Sequence, residues 1–295
     1  MRFVIVVNPH GGKKKGPRIL DKVKPVFEAE GAELSIIETG FASHAQELAG
    51  QMDLDNYDGF LAIGGDGTLH EVVNGMLTRK DGRILPIGII PGGSGNSYMH
   101  DLGLTEPLAA AKAIVRGKTR PVDAARVEID HVVKYAINMV GWGMVTDVGK
   151  KAEHYRWLGV SRYTILSLVE ILLKKSRAAA LVMDDLKVVD EFTFIVACNT
   201  IHVGKGMKMA PDARLDDGLI DLVVLRGGIP RARLVQILPK LFDGSHLDEP
   251  EVSCHRVSEF SLMPEKNDIL NIDGEIVGST PVKVKMLKHA FHIFA

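Results

Sequence analysis

Three short apolar runs in the N-terminal part of the chain each end in a glycine-rich turn. Phe3–Asn8 leads into Asn8-Pro9-His10-Gly11-Gly12-Lys13-Lys14-Lys15-Gly16. Phe60–Gly64 leads into Gly64-Gly65-Asp66-Gly67-Thr68, and Ile87–Ile90 into Pro91-Gly92-Gly93-Ser94-Gly95-Asn96. Continuous apolar runs of this length, without alternation, are the pattern of strands buried on both faces. Helical spacing fills the gaps. Gly16–Glu30 puts Val23, Val26 and Phe27 on one face, and a further strand, Leu34–Thr39, follows. Ser43 and Gln46 form a capping-box pair that opens a helix carrying Ala45, Leu48, Ala49 and Met52, and another helix spans Thr68–Leu77. Strand–helix alternation of this kind predicts a parallel sheet with helices on both faces. All carboxyl ends of such strands lie along one edge, where ligands bind. Glycines there let backbone N–H groups approach a ligand, and each helix start adds its positive dipole end. Any one turn reads equally well as a tight connection. Three together, with an acid in the middle one, read as an anion cradle, most simply for a nucleotide polyphosphate.

The pattern changes near Arg120. Strand-like pieces follow one another: Val122–Ile129, His131–Asn138, Ala178–Met183, Phe192–Ala197, Leu219–Leu225, Val252–Leu262, Ile269–Ile272 and Val282–Met286. Asp184-Asp185, Asp217-Gly218 and Asp273-Gly274 supply turn chemistry between them. Helices are inserted near Ser161–Lys174 and Pro230–Phe242. The expected architecture is α/β plus β. An α/β nucleotide-binding domain (1–121) is joined directly to an antiparallel β-rich, sandwich-like domain (122–295), with the active site in the cleft between them. The last residues are placed to pack back on the first domain.

Composition narrows the function classes. Lys+Arg is 36 and Asp+Glu 37, so the basic excess of a nucleic-acid binder is missing. Two cysteines, Cys198 and Cys254, build neither a disulfide framework nor a zinc site. The N-terminus reads as a strand and not as a signal peptide. Tyr163–Leu173 is interrupted by Glu170 and is far too short to span a bilayer. A soluble, cytosolic enzyme is the expectation.

Several templates fail. Gly11-x-x-x-x-Gly16 is followed by Pro17 and not Lys-Ser/Thr, so it is no Walker A loop. His70-Glu71-Val72-Val73-Asn74 lacks the second His of a zincin, and Gly92-Gly93-Ser94-Gly95-Asn96 lacks the last Gly of a nucleophile elbow. Asp66 stands between glycines at a strand end, where a structural role is hard to supply. As a turn cap it is unremarkable chemistry. As a carboxylate facing a γ-phosphate it accepts the proton of an attacking hydroxyl or positions Mg²⁺. Thr68 and Glu71 have capping-box spacing, so helix capping explains them sufficiently.

The run Gly64-Gly65-Asp66-Gly67-Thr68-Leu69-His70-Glu71-Val72-Val73-Asn74-Gly75, the upstream Asn8-Pro9-x-Gly-Gly and the downstream Pro91-Gly-Gly-Ser-Gly-Asn96 resemble the diacylglycerol kinase catalytic domain. That family includes sphingosine, ceramide and bacterial diacylglycerol kinases. Gly141-Trp142-Gly143…Asp147…Tyr155-Arg156-Trp157-Leu158-Gly159…Arg162-Tyr163 is similar to a stretch of sphingosine and ceramide kinases. Met209-Ala210-Pro211…Asp216-Asp217-Gly218…Asp221-Leu222 looks like the bacterial branch, and Asp273-Gly274-Glu275 matches the family's late Asp-Gly-Glu. The resemblance spans nearly the whole chain.

It implies an ATP- and Mg²⁺-dependent lipid kinase. Asn8, Pro9 and His10 would contact ATP, although relatives often carry Arg or another polar residue in place of His10. Thr39 and Ser43 would lie beside the nucleotide. Gly64, Gly65, Asp66, Gly67 and Thr68 would wrap the phosphates, with Asp66 catalytic, and Glu71 with Gly93-Ser94-Gly95 would complete the site. Arg156 and Arg162 match arginines that reach the phosphates in sphingosine kinases. Asp273, Gly274 and Glu275 would face the same cleft near Mg²⁺. In bacterial relatives the equivalent of Glu275 is regarded as the catalytic base, so it competes with Asp66. Asp147 would meet the lipid head group. Asp217 matches a structural Mg²⁺ ligand, with a plain turn as the other reading. Where sphingosine kinases carry a second Asp two residues after the shared one, this chain has Gly149, which implies no strong preference for an amino lipid.

The lipid side is less legible. Met139, Val140, Trp142, Met144 and the apolar face of Tyr163–Leu173 suit either an acyl pocket or a core. Pro230–Phe242, with Arg231, Arg233 and Lys240 beside Leu234, Ile237, Leu238 and Leu241, suits either an anionic membrane or an ordinary amphipathic role. The expected partners are ATP and a membrane lipid, with transient peripheral membrane contact from the cytoplasm, no nucleic acid, and homodimerisation left open. Two alternatives remain: a soluble-substrate kinase of NAD kinase type, and a catalytically idle nucleotide-binding homologue.

Overall fold

The computed structural model describes residues 1–11, 14–93, 95–154, 161–173, 175–204 and 206–295, with the backbone alone for residues 153, 154 and 161–164. The chain divides into two compact units: Met1–Ala124 with Lys288–Ala295, and Ala125–Leu287. The division falls at 124/125 and not at 121/122, because a single long strand, Thr119–Ile129, carries the chain from one unit into the other.

In the first unit β1 (Arg2–Val7), β2 (Glu33–Glu38), β3 (Gly59–Gly64) and β4 (Ile87–Pro91) form a parallel sheet in the order β2-β1-β3-β4. The helices are α1 (Gly16–Ala29), α2 (His44–Gln51), α3 (Asp66–Leu77), the short α4 (Ser97–Asp101) and α5 (Pro107–Val115). Phe3, Ile5 and Val7 pack with Ile19, Val23 and Phe27 of α1 and Ala110, Ala111 and Ile114 of α5, while Val4 and Val6 are also fully buried. Each of these Val, Ile and Phe side chains contributes about 1.5–3 kcal/mol by leaving water. Near the C-terminus Ile293 pairs in parallel with Ile87 of β4. Because the strands are parallel, the turns after β1, β2, β3 and β4 all lie on one edge.

The second unit begins within β5 (Thr119–Ile129) and continues through β6 (Val132–Ala136), β7 (Met139–Gly143), α6 (Met144–His154), α7 (Ser161–Leu173), β8 (Arg177–Met183) and β9 (Leu186–Cys198). Then come β10 (His202–Val203), β11 (Met207–Lys208), β12 (Ile220–Arg226), α8 (Arg231–Ile237), β13 (Val252–Val257), β14 (Glu259–Pro264), β15 (Ile269–Ile272), β16 (Glu275–Ser279) and β17 (Val282–Phe294). Pairing is antiparallel: β13-β12-β9-β8-β14-β17, with β7, β15 and β16 branching from β9. Val252–Leu262 is two strands broken at Ser258, not one. A helix after the glycines that follow Ile87–Ile90 is expected and found as α4, while the strand Met139–Gly143 and helices α5 and α6 are absent from the sequence reading, since Met-Val-Gly-Trp-Gly carries too little periodicity to announce a strand.

Of the apolar residues considered for an acyl pocket, Met139, Val140, Trp142 and Met144 belong to or flank the core, whereas α7 keeps Ile165, Leu168, Val169, Leu172 and Leu173 exposed. Val140 and Trp142 pack into one buried cluster of this unit, and Met139 into another that Met144 flanks. Within Pro230–Phe242 only α8 is α-helical, followed by a 3₁₀ turn, Leu238–Leu241. Arg233 pairs with Glu249 and Glu251, and Lys240 with Glu249, so both cations are satisfied internally. No described helix is long and apolar enough to cross a membrane.

Candidate active site

The glycine turns of the first unit are assembled from the backbone up. Asn8 closes the first: its Oδ1 accepts from the N–H groups of His10 (3.0 Å) and Gly11 (2.8 Å), and its Nδ2 lies 3.5 Å from Thr68 Oγ1 on α3. The second and third turns touch backbone to backbone. Gly64 O accepts from Gly92 N (2.8 Å) and Gly93 N (3.2 Å). A Cβ on Gly93 would stand 2.4 Å from Gly65 Cα, so neither turn tolerates a side chain there. Part of the glycine content is therefore packing. Gly67 differs, for a Cβ there meets nothing within 4 Å. Open space thus adjoins the first turn of α3, whose leading N–H groups lack intrahelical acceptors.

Asp66 opens α3 and has a structural role that its sequence context does not suggest. Its carboxylate accepts from Ser97 N (2.8 Å) and Tyr98 N (3.1 Å), holding the start of α4 and with it the third turn. Glu71 does not close a capping box with Thr68. It accepts instead from Ser43 N (3.0 Å) and Ala45 N (3.1 Å), capping α2 from a different helix. The expected Ser43–Gln46 box is likewise absent: Ser43 adopts φ +66° and makes no side-chain cap. Thr39 is buried, and its N–H and Oγ1 both bond Val7 O (2.9 and 3.4 Å). Asn8, Pro9, His10, Thr39, Ser43, Gly64, Gly65, Gly67, Thr68, Glu71, Gly93 and Gly95 thus belong to turns and helix starts along the same edge of one sheet.

In the second unit Asp273 and Gly274 form the two-residue turn between β15 and β16, at φ +53° and +96°. The Asp273 carboxylate accepts from the N–H groups of Ile137 (2.8 Å), Asn138 (2.7 Å) and Met139 (2.9 Å). It anchors the hairpin that presents Glu275. The Glu275 side chain is exposed and has no hydrogen-bond or ion-pair partner among the described residues. Asp147, in the first turn of α6, is held by Arg177, whose Nη2 reaches both carboxylate oxygens (3.0 and 2.8 Å) while its Nε pairs with Asp268 (2.6 Å). Arg156 and Ser94 lie outside the described residues, as does the side chain of Arg162.

The residues at Asp217 do not fit a bound cation. One carboxylate oxygen accepts from Leu219 N (2.9 Å) and the other pairs with Arg256. Among the described residues no group of three or more His, Cys, Asp or Glu could hold a metal ion. Arg256 Nε also approaches the nearly buried Asp221 (3.6 Å). Burial pushes the Asp221 carboxyl up to about 6 against the pull of Arg256, with Asp217 and Asp212 adding repulsion. The folded chain therefore keeps a proton that the unfolded chain, with its ordinary carboxyl value near 4, gives up. The stability this supplies is full below about pH 4 and is lost as pH rises through about 6. Asp221→Asn should accordingly gain on wild type by about 1 kcal/mol between pH 5 and pH 8. Urea melts at the two pH values measure this, and a pH-independent difference would refute it.

Comparison with known proteins places this arrangement. Residues 2–127 match the model of the diacylglycerol kinase catalytic domain, and residues 138–295 that of the YegS C-terminal NAD kinase beta sandwich-like domain. Sphingosine kinase 1 of Arabidopsis thaliana is 30% identical across 94% of this chain and 68% of its own length. The chain belongs to the diacylglycerol kinase catalytic-domain family. Within that family a diacylglycerol kinase of Bacillus subtilis is 29% identical over 99% of this chain and 95% of its own. A crystal structure from Bacillus anthracis, described as a candidate diacylglycerol kinase, superposes with a TM-score of 0.83 at 25% identity, covering 99% of this chain and 94% of that one. An NAD kinase of Archaeoglobus fulgidus in complex with ATP shares the fold at a TM-score of 0.51 and 16% identity, over 100% of this chain and 94% of that one. Family membership makes the chain a kinase homologue built to use ATP.

Proposed function

We propose that the chain is an ATP-dependent lipid kinase that transfers the γ-phosphoryl group of ATP, taken up as its Mg²⁺ complex, to a primary hydroxyl of a membrane lipid. Diacylglycerol, monoacylglycerol, a sphingoid base and ceramide are the acceptor class. The observation that carries the reading is the gathering of three glycine turns on one edge of a parallel sheet, beside open space at the start of α3. Phosphoryl transfer needs charge neutralisation and positioning more than covalent chemistry by the protein. Turns after β1, β3 and β4 hold the phosphates. The lipid hydroxyl attacks the γ-phosphorus, the bond to the β-phosphate oxygen breaks, ADP leaves, and the hydroxyl proton passes to a carboxylate. Glu275 suits that last role better than Asp66, because two backbone N–H groups already occupy the Asp66 carboxylate. Arg156 and Arg162 add positive charge to the phosphates. The acceptor resides in a bilayer, so the enzyme works as a cytoplasmic protein with peripheral membrane contact.

Radiolabelled ATP offered with a lipid panel in micelles tests this reading. Label on a lipid hydroxyl is the expected result. Label on NAD makes the chain an NAD kinase, and ATP binding without transfer makes it an idle homologue. The NAD kinase likeness, at 16% identity, extends to the fold alone.

Head-group choice follows from Arg177. With both oxygens of Asp147 engaged, no free carboxylate is offered to an ammonium, which favours neutral lipids. Arg177→Met should raise kcat/KM for sphingosine relative to diacylglycerol by about tenfold, the scale of one exposed-to-partly-buried ion pair. An unchanged ratio in matched micelles removes Asp147 from head-group selection. Gly149→Asp is the less clean variant, since its Cβ would stand 2.8 Å from Asn271 Nδ2.

A further inference from the structure

We infer that Phe41, on the loop between β2 and α2, is the platform on which the purine base of the nucleotide stacks. The inference rests on the kinase reading and adds to it a residue outside every glycine turn. Phe41 is 59% exposed at the edge of the sheet that carries those turns. One ring face stacks on His44, with centroids 4.4 Å apart and planes 19° from parallel. An exposed phenylalanine gains nothing from water, and one supported from behind by a second ring offers its other face to a flat partner.

The loop is held rather than slack. Thr39 bonds back to Val7 O, Gly40 N donates to His44 Nδ1 (3.0 Å), and Glu71 binds Ser43 N and Ala45 N. Because Nδ1 accepts, His44 in this arrangement carries its proton on Nε2. The ring pair is thus fixed before any ligand arrives. The strand order also suits the span of a nucleotide. β2 stands two positions from β3 in the order β2-β1-β3-β4. Two strand spacings are roughly 10 Å, comparable to the separation of base and terminal phosphates in an extended nucleotide. A nucleotide laid along this edge puts its phosphates on the Gly64–Gly67 turn and its base over Phe41.

Base–aromatic stacking is sequence-tolerant, so Phe41 should serve any purine nucleotide. Phe41→Ala should raise the KM for ATP about fivefold or more, with kcat much less affected. Inhibition by inorganic tripolyphosphate, which has no base, should stay as in wild type. Phe41→Trp should retain ATP affinity, and its added emission should be quenched by ATP but not by tripolyphosphate. Melting of the nucleotide-free variants verifies that each is folded, as expected for so exposed a ring. An ATP KM within twofold of wild type in Phe41→Ala, or Phe41→Trp emission indifferent to saturating ATP, overturns the inference and leaves the kinase reading standing. A wild-type protein that neither binds nor turns over ATP overturns both.

Discussion

Glu275→Gln is expected to lower kcat by about 10²- to 10⁴-fold, the range for loss of a positioned proton acceptor, and to leave thermal stability unchanged. The substitution keeps shape and removes only the ability to take a proton. The side chain is exposed and has no partner among the described residues, so folding does not depend on it. Its backbone is nonetheless well placed. Glu275 pairs with Ile272 across a two-residue turn, and three N–H groups hold Asp273 in that turn. A free carboxylate on a fixed backbone is what a general base requires. Steady-state kinetics beside a melting curve decide the matter. A variant within threefold of wild-type kcat returns the proton to Asp66.

Asp66→Asn is expected to act differently, lowering kcat/KM for ATP by at least about 10²-fold and lowering Tm as well. An asparagine has one acceptor oxygen where the carboxylate uses two, and its NH₂ would face a backbone N–H of Ser97 or Tyr98. Losing one such bond and opposing two donors costs about 1–3 kcal/mol, or a Tm drop of several degrees in a chain of this size. The negative charge at the start of α3 and its favourable dipole interaction are lost too. As α4 loosens, the third glycine turn shifts, so the KM for ATP should rise. If kcat alone falls, with ATP KM and Tm as in wild type, Asp66 is the proton acceptor and its contacts with α4 are incidental.

The first unit was the more legible half. Its strands are continuous apolar runs and its turns are marked by glycine, so both signals lie within about a dozen residues of each other. The Asp273-Gly274 hairpin was legible for the same reason, since a tight turn at positive φ favours that dipeptide. Helix capping was not. Ser43 and Gln46 had the spacing of a capping box, yet Glu71 displaced that local solution from 28 residues away. The lipid-side reading suffered from a related ambiguity. Trp142 and Val140 are as apolar in a core as they would be in a pocket, and only packing distinguishes the two.

By itself, then, the sequence determined the family, the parallel order of the first unit, the β-rich character of the second and the edge where the glycine turns converge. The tertiary structure decided what each charged or aromatic side chain in that set does. It assigned Asp66 to α4, Glu71 to α2, Asp273 to residues 137–139, Asp147 to Arg177 and Asp217 to Arg256, over separations of 31, 28, about 135, 30 and 39 residues. It also left Glu275 and Phe41 exposed beside their anchored neighbours. Periodicity and turn preference are local consequences of backbone sterics and can be read along the chain. A carboxylate's partner is whatever donor the fold brings within about 3 Å, and that proximity exists only once distant segments have packed.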